Sequence, residues 1–125
     1  MRPEEADVDV HSHTALLNRV YDAFNRRNPD LLDALLAPDV VDHTAGSGQR
    51  PGLQGIKEVW AQFWSRFPDI QVTPEDVIAE GNRVGVRLSL RYTGPDGQRR
   101  SGRGFEFFTV AGGRIVELWN LLRLN

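Results

Sequence analysis

The hydrophobic period of this chain changes once, at Pro68, and that change limits the possible folds more than any other feature. Ahead of it, apolar residues recur at helical spacing in three segments. Leu16, Leu17, Val20 and Phe24 form the first, Leu31, Leu32, Leu35 and Leu36 the second, and Ile56, Val59, Trp60, Phe63 and Phe67 the third, with Trp64 beside that stripe. Behind Pro68 the pattern alternates. Val84, Val86, Leu88 and Leu90 interleave with Gly85, Arg87, Ser89 and Arg91, so one face of a strand is aliphatic and the other is not. Helices first and strands afterwards predict an α+β domain, its helices packed on one face of a curved antiparallel sheet.

Breakers and turn residues set the boundaries. Ser12 or Thr14 suits the cap of the first helix, Asn28-Pro29-Asp30 ends it, and Pro38 stops the second. Val40 to His43 then reads as a strand entering a glycine-rich loop, Gly46 to Gly55, and Pro68 closes the third helix. Gly81-Asn82, Gly94-Pro95-Asp96-Gly97 and Gly112-Gly113 separate the later strands. Residues 1–12 lack apolar periodicity and read as a loose tail, leaving 13–125 as a single domain.

Composition excludes several function classes. A chain of 125 residues with 40% hydrophobic and 26% charged residues is one globular domain. The absence of cysteine removes disulfides, thiolate metal sites and a cysteine nucleophile. A formal net charge of -2 gives no global drive toward nucleic acid. No apolar run is long enough to span a membrane, and the acidic start Glu4-Glu5-Ala6-Asp7 is unlike a signal peptide, which predicts a cytoplasmic protein. His11 and His13 alone are a weak metal signal, and no metal is assigned.

Polar residues on apolar faces mark the candidate site. Asn120 sits within the face formed by Val116, Leu118, Leu122 and Leu124, and Glu106 shares parity with Phe108 and Val110, an apolar setting that would raise its pKa and make it a possible acid. Such residues serve either as internally bonded core groups or as the placed donors and acceptors of a ligand cavity. Trp60, Phe63, Trp64 and Phe67 supply either cavity walls or plain core. His43, at a loop edge, is the group suited to proton transfer near neutral pH, and Asp42 beside it points to the opposite face. Arg87, with Ser89 and Arg91 on its face, either clamps a ligand oxygen or meets solvent.

Several segments, in order, resemble the SnoaL-like polyketide cyclase family of the nuclear transport factor 2-like superfamily. They are Val20-Tyr21-Asp22-Ala23-Phe24-Asn25, Ala37-Pro38-Asp39-Val40-Val41-Asp42-His43, Gly52-Leu53-Gln54-Gly55-Ile56, Phe67-Pro68-Asp69, Ala79-Glu80-Gly81-Asn82-Arg83-Val84 and Gly113-Arg114-Ile115-Val116-Glu117-Leu118-Trp119. The resemblance implies a cone-shaped α+β barrel enclosing an apolar pocket, commonly paired as a homodimer through the sheet. It also implies ring closure in a polyketide ester by aldol chemistry without metal or organic cofactor. Family cyclases carry an acid/base aspartate after the last-strand tryptophan, where this chain has Trp119-Asn120, and the family's threonine-histidine pair reads Arg91-Tyr92. Limonene epoxide hydrolase is a more distant likeness, its Arg-x-Asp motif here becoming Arg87-Leu88-Ser89.

Two functions follow from the resemblance. In the first the chain is a cofactor-independent enzyme: His43 abstracts an acidic C–H proton, Arg87 and Asn120 donate to the enolate oxygen, and a small hydrophobic or polycyclic substrate is held by Trp60, Phe63, Trp64, Phe67, Ser89, Glu106, Phe108 and Leu118. In the second, loss of the aspartate leaves a non-catalytic ligand-binding or dimeric interaction module.

Overall fold

The computed structural model describes residues 3–125, with side chains from His11 onward. Helix α1 (Pro3–Asn25) is followed by a 3-10 helix (Pro29–Ala34), strand β1 (Leu36–Asp42), helix α2 (Gly52–Arg66) and four strands, β2 (Gln71–Glu80), β3 (Arg83–Thr93), β4 (Arg99–Ala111) and β5 (Arg114–Leu124). The backbone of α1 is thus already helical ahead of Ser12 and Thr14, where the apolar pattern starts. The second helix is a 3-10 turn, and Leu36, expected in it, opens β1 instead.

The five strands form one sheet in the order β1-β5-β4-β3-β2. β2 to β5 pair antiparallel, as their hairpin turns require, whereas β1 pairs parallel with β5. The sheet is therefore mixed, not purely antiparallel. It curves like an open cone and does not close into a barrel. Both prolines within strands fall on its edges, Pro38 in β1 and Pro74 beside the register shift of β2, where a missing N–H breaks no ladder.

The helices cover the concave face. Leu16, Leu17, Val20, Tyr21 and Phe24 of α1 are buried against Val84, Val86, Leu88 and Leu90 of β3 and their neighbours in one continuous core. α1 ends in a Schellman motif: Asn28 N–H donates to Ala23 O (3.0 Å), Arg27 N–H donates to Phe24 O (3.1 Å), and Arg27 takes φ 56°. A left-handed arginine is costly, and two hydrogen bonds from its guanidinium, to Asn25 O (2.9 Å) and Pro68 O (2.6 Å), hold it there. Next to it the Asn25 amide donates to Val72 O (2.9 Å) and accepts from Val72 N–H (2.8 Å), pairing the edge of β2 as a strand would.

Gly104 in β4 lies close against β5. A Cβ there would meet the Leu122 side chain and stand 3.0 Å from the Leu121 carbonyl oxygen.

Candidate active site

On the concave side a cavity of about 90 Å³ lies between α1, α2 and the sheet. Its walls are mostly apolar, among them Phe24, Trp60, Phe63, Leu88, Phe108 and Leu118, and its polar groups are Tyr21, Asp42, Glu106 and Asn120. The elements bring these four together from distant parts of the chain. Tyr21 comes from the buried stripe of α1, Asp42 from the end of β1, and Glu106 and Asn120 are register partners on β4 and β5.

Glu106 is the centre of this group. The Tyr21 hydroxyl donates to its Oε1 at 2.9 Å and is its carboxyl's one hydrogen-bonding partner among the described residues. Glu106 is half-buried, and its side chain lines the cavity. Burial therefore raises its pKa from 4.5 to about 7; the Tyr21 hydrogen bond opposes that rise and the nearby Asp42 charge adds to it. Tyr21 is pushed well above its ordinary value by burial first and then by Glu106, so its hydroxyl keeps its proton. Near neutral pH this pair offers a carboxyl that is about half ionised and a fixed donor that orients it.

Asn120 directs its side chain into the cavity with no protein partner for its amide among the described residues, while its backbone N–H donates to Thr44 Oγ1 (3.0 Å). Asp42 accepts from Thr44 N–H (3.0 Å), the Thr44 hydroxyl (2.9 Å) and the Gln49 amide (3.0 Å).

His43 and Arg87 lie elsewhere. Strand alternation turns Asp42 inward and His43 outward, where the imidazole stacks on Trp119 (centroids 4.3 Å apart) and bonds Glu117 Oε2 at 2.8 Å. Glu117 is held below the usual carboxylate range by hydrogen bonds from His43 and Thr109. Arg87 is exposed on the convex face and faces Asp76 (3.5 Å), and Ser89 beside it donates to Glu75 (2.6 Å). None of these three reaches the cavity, because the aliphatic face of β3 is the one the helices cover. Trp60, Phe63, Glu106, Phe108, Leu118 and Asn120 line it. Trp64 instead donates from its indole to Phe24 O (3.1 Å), and Phe67 packs on Tyr92 (4.8 Å), so both are core. Tyr21 was not anticipated; the signal was a tyrosine on an apolar helical stripe, whose hydroxyl needs a partner.

His11 and His13 fall in the helical α1, and His13 bonds the Gly81 carbonyl at 2.7 Å. Among the described residues no group of three His, Cys, Asp or Glu is placed to hold a metal, and no helix is long and apolar enough to cross a membrane.

The fold is an open α+β cone with a carboxyl-bearing cavity under its helices. The SnoaL-like domain model matches residues 17–118, and the chain belongs to the SnoaL-like family within the nuclear transport factor 2-like fold. Among solved structures it is similar to wild-type IdmH of Streptomyces antibioticus, assigned as a polyketide cyclase (28% identity, 87% of this chain and 90% of that one, TM-score 0.80). A protein from Bacillus cereus with the same assignment is 25% identical over 86% of this chain and 71% of that one, with TM-score 0.80. AclR of Streptomyces galilaeus, assigned as a hydroxylase, shares the fold at 23% identity over 93% of this chain and 81% of that one (TM-score 0.79). A search among curated proteins gives no match.

Proposed function

We propose that the chain is a cofactor-independent enzyme of polyketide-cyclase type whose acid/base group is Glu106. The observation that carries this is the Glu106 carboxyl on the cavity wall, held by the Tyr21 hydroxyl and directly across the β4–β5 pair from Asn120. The resemblance leads to an aspartate at the Asn120 position, and a carboxyl one strand over occupies the same cavity wall.

The ionised Glu106 carboxylate takes the acidic proton from a carbon between two carbonyls, and the Asn120 amide N–H donates to the enolate oxygen that forms. The enolate carbon then attacks a further carbonyl of the same substrate, beyond the two that flank it, and Glu106 returns the proton to the new alkoxide. Tyr21 holds the carboxyl in position throughout. The cavity, at about 90 Å³, is smaller than the roughly 150 Å³ that accepts a benzene, so entry of a ring requires the half-buried Trp60 and Phe63 of α2 to turn outward. The reading as a non-catalytic binding module rested on the missing aspartate, and Glu106 supplies a carboxyl in its stead.

The convex face supports a homodimer. Ile78 (74% exposed), Phe105 (59%) and Leu121 (74%) form an apolar centre on that face, flanked by Phe107 and Trp119. A second copy covering it would place His43 and Arg87 at the interface. Sedimentation equilibrium of wild type and of Phe105→Asp/Leu121→Asp tests this, a monomeric wild type being the contrary result.

The test of function is a mass-spectrometric time course on a panel of linear polyketide esters with wild type, Glu106→Gln, His43→Ala and no protein. Ring closure is expected with wild type and His43→Ala and is expected to be lost with Glu106→Gln. Equal rates in all four samples would leave a binding module.

A further inference from the structure

Asp42 has no part in the step above, yet it is the most firmly fixed polar group of the cavity. Three donors from the loop that follows it, the Thr44 N–H, the Thr44 hydroxyl and the Gln49 amide, hold its carboxylate at 2.9–3.0 Å. The same Thr44 hydroxyl oxygen accepts from the backbone of Asn120, which ties this loop to the catalytic wall. No lysine, arginine or histidine is among the residues lining the cavity. Among the described lining residues the carboxylate thus has no cationic partner, and its field acts on Glu106.

A ligand bringing its own carboxylate would place a second negative charge in the same cavity. Two like charges about 6 Å apart at an effective dielectric constant of about 20 disfavour binding by roughly 100-fold. An ester or ketone of the same shape avoids that repulsion, and it retains the carbonyl oxygen that the unpartnered Asn120 amide can bond.

We propose that Asp42 is a specificity-determining charge filter, so that the cavity admits uncharged carbonyl compounds and rejects the corresponding free acids. This rests on the cavity being the ligand site, as in the proposed function, but not on any bond being made there.

The test is calorimetric titration of full-length protein at pH 6 with methyl salicylate and with salicylate, a matched pair that differs in charge and cannot undergo ring closure. That pH lies below the value of about 7 to which burial raises Glu106, so most of that carboxyl is protonated. Wild type is expected to favour the ester by about 100-fold, and Asp42→Asn to narrow the preference to less than about 10-fold. Gln49→Ala, which removes one donor and leaves the charge, separates the filter from a merely structural role and is expected to keep the preference. Equal binding of both probes to wild type, no ester binding at all, or an unchanged preference in Asp42→Asn overturns the proposal. The ring-closure panel reports separately on Glu106.

Discussion

Replacing Glu106 by glutamine is expected to stabilise the protein at alkaline pH, the reverse of what loss of an ordinary paired carboxylate does. In the folded chain this carboxyl keeps its proton up to about 7, whereas unfolded it ionises near its ordinary value of 4.5. Between those limits the folded state binds more protons than the unfolded state, so stability falls as pH rises and stays reduced above the folded pKa. A difference of that size is worth at most about 3 kcal/mol, because the group is only half-buried and solvent screens part of it. Glutamine does not titrate, and its amide oxygen can still accept from Tyr21. Urea denaturation of both proteins at about pH 4 and about pH 8 isolates the effect, since the difference between the two gaps cancels every other titrating group. The advantage of Glu106→Gln over wild type is expected to grow by up to about 3 kcal/mol between the two conditions. Parallel pH dependence, within about 0.5 kcal/mol, would mean that Glu106 ionises as a surface carboxyl and that the polar wall of the cavity is wrongly drawn.

Other perturbations read neighbouring parts of the account. Tyr21→Phe removes the hydrogen bond that lowers the Glu106 pKa, so the acidic limb of a ring-closure pH profile is expected to move to higher pH, at a stability cost of about 1 kcal/mol; an unmoved limb would detach Tyr21 from the site. Asn25→Ala leaves both backbone groups of Val72 without their side-chain partner and is expected to cost about 2 kcal/mol in urea denaturation, with no change in the pH dependence of stability. Trp60→Ala enlarges the cavity that the indole lines and is expected to tighten binding of methyl 2-naphthoate about 10-fold in calorimetry, while destabilising the half-buried helix face by about 2 kcal/mol. Weaker naphthoate binding would show that the indole is a contact and not an obstruction.

The α+β order and the outline of the turns were legible because alternation and helical period are set by burial, which sequence reports directly. The side of the site was harder to read. On β1, Val40 shares parity with Asp42 and Val41 with His43, so an aliphatic neighbour supports either face; only packing, with Val40 buried and Val41 half exposed, decides it. Arg87 stood on the non-aliphatic side of an alternating strand, and alternation alone does not separate a cavity wall from a solvated surface. The parallel pairing of β1 with β5 joins segments more than seventy residues apart, and no local signal encodes it. Glu106 was legible as a polar residue among apolar ones, whereas its partner Tyr21 lies eighty-five residues away on a helix, a distance that only the folded chain closes.

The central claim is that the proton-transferring group sits in the cavity as Glu106 and not on the convex face as His43. A ¹³C NMR titration of the glutamate side-chain carboxyls in full-length protein, with Glu106→Gln used to assign the resonance, measures it directly. The account predicts a midpoint near 7 for Glu106, moving down in Asp42→Asn. A midpoint at the ordinary 4.5, unmoved by Asp42→Asn, would contradict it.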